Sequence, residues 1–177
     1  MVDLIGPRLR LRPVVPGDAT DTYAGWMNDP DVVRYTESRY VSHTPESLRA
    51  FIETVIKSQS DLFLAITLKQ DARHIGNIKL GNMNIRHGSA DTGIIIGEKD
   101  CWGKGYASEA IGLLADHAFE ALGLHKLTAG CYAVNGGSAQ AFEYAGFEIE
   151  GMLKSQCISD GERVDVVLLG RSQAGGG

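Results

Sequence analysis

The chain has 177 residues, of which 44% are hydrophobic and 22% charged, a size and balance that suit one globular domain with a sizeable core. A formal net charge of -5 supplies no global positive field for a phosphate backbone, so general nucleic-acid binding is disfavoured. The three cysteines Cys101, Cys131 and Cys157 are dispersed and odd in number, which argues against a disulfide framework or a zinc site and for a reducing cytosol. Neither a leader-like start nor a run of about eighteen apolar residues is found, so a soluble, unexported protein without a membrane role is expected.

Leu9, Leu11 and Pro13-Val14 alternate with Arg8, Arg10 and Arg12, the period of a half-buried opening strand. Asp18 to Met27 reads as a short helix ending before Asn28-Asp29-Pro30. Thr44-Pro45-Glu46 is a capped helix start, followed by Leu48, Phe51, Ile52, Val55 and Ile56 at helical spacing. Three β-rich runs come next, Phe63 to Ile66, Ile75 to Leu80 and Thr92 to Ile96, and an antiparallel meander is the simplest arrangement for them. Ala107, Ala110, Ile111, Leu114, Ala118 and Leu122 mark a long amphipathic helix that stops at Gly123. Lys126 to Tyr132 is a further strand, Ser138 to Ala145 a shorter helix, and Phe147 to Glu150 and Val164 to Leu169 the last strands. The order β-αα-βββ-α-β-α-ββ predicts an α+β fold with helices packed on one sheet, a single domain over 1–170 and a flexible Gly-rich tail over 171–177.

Gly103-Lys104-Gly105-Tyr106-Ala107 lies between a β-rich run and the long helix. Glycines let a backbone approach a bulky ligand, and a helix start offers unpaired N–H groups with partial positive charge, so an anionic cofactor is implied. The magnesium-binding phosphate loop fits poorly: Gly97 precedes Gly103 by one residue too many, and Gly105 stands where a hydroxyl is needed. The dinucleotide fingerprint meets Ser108 in place of its third glycine and falls mid-chain.

The run Trp102-Gly-Lys-Gly-Tyr-Ala-Ser-Glu-Ala resembles the coenzyme A loop of the GNAT N-acetyltransferases, with Trp102 in place of the usual Arg or Gln, as in the RimJ/RimL-type branch. Leu9-Arg10-Leu11-Arg12, Trp26-x-Asn28-Asp29-Pro30-x-Val32, Asn135-x-x-Ser138 and Ala145-Gly146-Phe147 extend the resemblance over nearly the whole chain. It implies a GNAT fold, a mixed sheet of about seven strands with about four helices. It also implies an N-acetyltransferase that uses acetyl-CoA and no metal to acetylate a primary amine by direct attack. The acceptor could be a protein N-terminus, a polyamine, an antibiotic or an amino sugar. The rival is a catalytically weak, coenzyme A-binding regulatory module.

By the same resemblance, pantetheine lies along the strand ending Ile95-Ile96-Gly97, with the N–H of Gly97 or its neighbour near the acetyl oxygen, and Trp102, Gly103, Lys104, Gly105, Tyr106 and Ala107 hold the pyrophosphate. Asn135 bonds the pantetheine arm or is a turn residue. Asp91 stands where some members carry a glutamate base; it is a base, an anchor for the substrate ammonium, or a solvated turn acid, and Glu98 and Glu37 are lesser candidates. Phe142 falls where many members have the tyrosine that protonates the leaving thiolate. Ser138, one turn earlier on the same helix face, is the substitute, with a helix cap as its structural alternative. Glu37, Asp29 and Asp91 would suit a cationic amine, and an exposed last-strand edge would suit a homodimer.

Overall fold

A computed structural model describes residues 2–173. Strand β1 (Leu4–Ile5) pairs with β2 (Leu9–Pro13), and β2 begins the meander with β3 (Leu62–Leu68), β4 (His74–Asn84) and β5 (Ser89–Ile96), every pair antiparallel. Helix α4 (Tyr106–Glu120) then carries the chain back, so that β6 (Lys126–Tyr132) runs parallel to β5. Helix α5 (Gly136–Tyr144) leads to the hairpin of β7 (Glu148–Ser159) and β8 (Glu162–Ser172). The strands form one mixed sheet in the order β1-β2-β3-β4-β5-β6-β8-β7. The last strand is therefore interior, and the edges of the sheet are β1 and β7, which corrects the expected last-strand edge.

Period two sorts the sheet's side chains onto two cores. Leu9, Leu11, Leu64, Ile66, Ile78, Leu80 and Leu127 face α4 and α5, meeting Ile111, Leu114, Phe119 and Phe142. The opposite face, with Val14, Ala65 and Ile95, is covered by α1 (Asp21–Asn28) and α3 (Pro45–Val55) through Tyr23, Trp26, Leu48 and Ile52.

Helix starts follow their caps. At α3, the Ser47 N–H donates to Thr44 Oγ1 at 3.2 Å and the Thr44 N–H to Ser47 Oγ at 2.9 Å, with Pro45 in the first turn. Helix α1 begins at Asp21 rather than Asp18, because Thr20 is its cap and Pro16–Asp18 is a separate 3-10 turn. The Asp18 carboxylate is held there by Arg12 at 2.7 Å and by the Val15 N–H at 2.8 Å. A short helix, α2 (Pro30–Val33), capped by Asp29, was absent from the expected order, as was β1. Of the tail expected over 171–177, Arg171 and Ser172 belong to β8 and Ser172 pairs with Lys126, while 174–177 lie outside the described residues.

Candidate active site

Strands β5 and β6 pair over three positions only, Ser89 with Lys126, Ala90 with Leu127 and Asp91 with Thr128. Beyond Asp91 they part, and the sheet opens into a fork. The Gly97 N–H donates to the Ile75 carbonyl at 2.8 Å, which sets the phase of the antiparallel ladder with β4. Odd-numbered residues of β5 turn their backbone groups to β4, and Thr92, Ile94 and Ile96 turn theirs the other way, the Thr92 N–H to the Thr128 carbonyl in the last parallel bridge and the others into the fork. The Ile96 carbonyl is taken by the Trp102 indole N–H at 2.8 Å. The remaining groups form a strand edge inside the sheet, where an extended ligand with amide groups can add as a strand would.

Gly97 is corrected by this phase. Its N–H is spent on β4, and a Cβ on it would sit 2.1 Å from the Trp26 ring. The Trp26 indole N–H in turn donates to Glu98 Oε1 at 2.9 Å, and Arg73 approaches Glu98 Oε2 at 3.2 Å, which leaves Glu98 a structural role. Ile95 faces the α1 and α3 layer, while Ile94 and Ile96 pack on the core beneath α4.

The fork leads to the glycine loop. Gly103 and Gly105 have φ of 70° and 77°, the left-handed region where glycine carries no Cβ penalty. Gly105 is the N-cap of α4 and contributes no side-chain cap, so the N–H groups of Tyr106, Ala107 and Ser108 stay available to an anion. The loop is braced from β2: Arg8 Nη1 donates to the Lys104 carbonyl at 2.8 Å, its guanidinium lies 4.6 Å from the Tyr106 ring centre, and its Nε meets Glu109 Oε2 at 2.7 Å. Glu109 Oε1 accepts the backbone N–H groups of Arg8 and Leu9. Loop and fork together fit a long cofactor with an anionic end and an amide-bearing arm.

Across the fork, Asn135 caps α5, its Oδ1 accepting the Ser138 N–H at 3.3 Å. Ser138 is therefore not the cap. Burial pushes the pKa of the neighbouring Cys131 thiol up, and the Ser138 side chain offsets part of that rise. Phe142 lies in the core at 2% exposure, edge-on to Phe147 with ring centres 5.0 Å apart, and does not line the fork. The exposed Tyr144 does not take its place.

At the vertex, Asp91 Oδ1 accepts from Thr128 Oγ1 at 2.6 Å and Oδ2 from Asn82 Nδ2 at 2.9 Å. Thr128, Gly130 and Tyr132 share the face of β6 opposite the α4 core. The Tyr132 hydroxyl donates to Glu37 Oε1 at 3.0 Å and accepts from Arg39 Nη2 at 3.1 Å. Burial, with hydrogen bonds to Cys157 and Glu37, pushes the Tyr132 pKa up to about 12, so the phenol stays protonated. Sequence reasoning named Glu37 but missed Tyr132 and Arg39; the period of β6 was the available signal. Asp29 is instead tied to Lys99 at 2.8 Å, away from this group.

Comparison with known proteins places this geometry. Residues 8–148 match the model of the acetyltransferase (GNAT) domain family. The chain is 30% identical to an uncharacterized N-acetyltransferase of Bacillus licheniformis over 99% of its own length and 100% of that protein's. Among solved structures, the spermidine N-acetyltransferase of Vibrio cholerae, crystallised with CoA and spermine, superposes with a TM-score of 0.85 at 25% identity, covering 96% of this chain and 98% of that one. A ribosomal-protein-S5-alanine acetyltransferase from Vibrio fischeri gives a TM-score of 0.85 at 21% identity over 99% and 98%, a likeness of fold. The chain belongs to the GNAT acetyltransferase family.

Proposed function

We propose that the protein moves an acetyl group from acetyl-CoA to a primary amine by direct attack, in the manner of the RimJ/RimL-type branch and in a reducing cytosol. The observation that carries this is the fork: the free Thr92 carbonyl and the free backbone groups of Ile94 lead from the β5 vertex to the uncapped start of α4. Acetyl-CoA supplies the activated thioester. Tyr106, Ala107 and their neighbours hold its pyrophosphate, β5 and the Asn135 amide hold its arm, and the fork-facing N–H of Ile94, or of Ile96 beside Gly97, takes the acetyl-oxygen role.

The amine attacks in neutral form, so its proton must leave first. Asp91, at the vertex, holds the ammonium and accepts that proton. The leaving sulfur is met by the Ser138 hydroxyl and the start of α5 rather than by a tyrosine, since Phe142 belongs to the core. The test is incubation with acetyl-CoA and a mixed amine panel, reading free thiol and acetylated product by mass spectrometry. Thiol release matched by one acetylated amine is the expected result; none with any amine would overturn it in favour of a coenzyme A-binding regulatory module.

A further inference from the structure

A cavity of about 610 Å³ opens beside the Tyr132 group, between the α1–α2 corner and the turn of the β7–β8 hairpin. Its walls include Met27, Pro30, Val33, Tyr40, Val41 and Ile158, an apolar surface into which Arg34, Arg39 and Asp160 are set. Asp160 is the one acidic residue in the lining, and Arg34 neutralises it at 2.6 Å.

Arg39 is different. Its guanidinium is half-buried, 4.7 Å from the Tyr40 ring centre and 5.2 Å from that of Tyr132. The two hydrogens of Nη2 are shared among three acceptors, Tyr40 Oη at 2.7 Å, Tyr132 Oη at 3.1 Å and the Ile158 carbonyl at 2.6 Å, and Nη1 donates to the Arg34 carbonyl. Every one of these acceptors is neutral, and no carboxylate lies within ion-pair distance of Arg39 among the described residues. The side chain is thus a rigidly held cation with no directly paired carboxylate, Glu37 meeting it only through the Tyr132 hydroxyl, and with Nε–H and one Nη1–H still to donate. A guanidinium is matched in shape by a carboxylate or a phosphate.

We infer that the acceptor is an amine carrying an anionic group, a carboxylate or phosphate, on an apolar body, with Arg39 as the anchor for that group, and that it is not a polyamine. This rests on the acetyl-transfer reading above. Placed this way, the anion sits at Arg39 and the amine lies toward Glu37 and Asp91. A polyamine would bring further ammonium groups into a cavity whose one carboxylate is already paired and whose other charges are positive, leaving them without counter-ions.

Thiol release is measured at saturating acetyl-CoA with acceptors that differ only in the anion. The pairs are an apolar amino acid or dipeptide against its amide, and an amino-sugar phosphate against the free amino sugar, with spermidine alongside. In at least one pair the anionic member should have kcat/KM about tenfold or more above its neutral partner, the worth of a hydrogen bond to a charged group, and above spermidine. Which pair responds tells carboxylate from phosphate. Arg39→Gln should bring the ratio toward one, and Arg39→Lys, which keeps the charge but loses the planar fork, to an intermediate value. Because the ratio is taken within one protein, general weakening of the fold cancels. Neutral partners that match their anionic members, or spermidine as the best substrate, would overturn the inference and leave acetyl transfer standing. No thiol release with any acceptor would instead overturn the transfer itself.

Discussion

Asp91 can be tested with little disturbance, because its two neighbours are donors of different kinds. In Asp91→Asn the new carbonyl can still accept from Asn82, and the new amide can donate to Thr128 Oγ1, a hydroxyl that both donates and accepts. Stability should therefore hold while turnover falls about a hundredfold, the lower end for a lost general base, with loss of the acid limb of the pH profile. Unchanged turnover and profile would remove Asp91 from proton transfer. A second residue-scale test concerns His74, which lies edge-on to Trp26 with ring centres 5.0 Å apart and has Nε2 within 2.9 Å of the Gly76 carbonyl and 3.0 Å of Asn77 Oδ1. Burial is the main cause that lowers its pKa below 6.5. The folded chain thus binds this proton less readily than the unfolded chain. The stability His74 gives is complete above 6.5 and is lost as pH falls from there through the lowered folded value. Denaturant midpoints should drop between neutral pH and about pH 5, and less so in His74→Gln; an equal drop in both would refute the assignment. Asp91 and Asn135 were named from sequence through the family resemblance, and each lies near the start of an element. Tyr132 was within reach of the β6 period, but its pairing with Arg39 was not, since it is a contact between residues 93 positions apart.

At the scale of elements, sequence patterns were informative wherever one face of a segment was buried and the other wet. Helix α3, strand β6 and the meander all meet that condition. Strand β7 does not: it is exposed along most of its length, and register shifts at Ile149/Gly151 and Leu153/Cys157 break its alternation, so only Phe147 to Glu150 could be read as strand. Helix α2 is four residues long, too short to show a period, although its Asp29-Pro30 start is a normal cap. The brace between β2 and the α4 loop was likewise hidden, because Arg8 read as the solvent side of a strand. It has a consequence for cofactor binding. Arg8→Ala removes the donor to the Lys104 carbonyl and the cation over Tyr106, so the loop should lose its set shape. Arg8 is itself half exposed, so the effect should be modest: KM for acetyl-CoA raised about three- to tenfold, with kcat and the acceptor KM little changed. Titrating CoA while following Trp102 fluorescence would give the same ratio without turnover. A raised acceptor KM with unchanged CoA affinity would contradict the brace.

The whole molecule is a sheet partly split in two. Strands β1 to β5 form one part and β6, β8 and β7 the other; three residue pairs join them at the vertex, and α4 packs across the join on one face. Each part is well paired internally, so the open limb of the fork is where the native state leaves backbone groups unmatched. A ligand that fills the fork pairs with β5 on one side and the Asn135 end of β6 on the other, and it exists only where both parts are folded. Free CoA, without acetyl group or acceptor, should then stabilise the fold by about 2.7 kcal/mol at a hundredfold excess over Kd, which for a domain of this size raises Tm by roughly 5–10 °C. The gain should also be local. In hydrogen exchange, the amide of Ile94 and those at the start of α4 should slow with CoA, while the Gly97 amide, already bonded to Ile75, should change little. A Tm that ignores CoA, or protection spread evenly over the β2 to β4 meander, would mean that the fork is not the donor site. Protection at Gly97 as large as that at Ile94 would reverse the phase assigned to β5, and the acetyl oxygen would return to the Gly97 N–H.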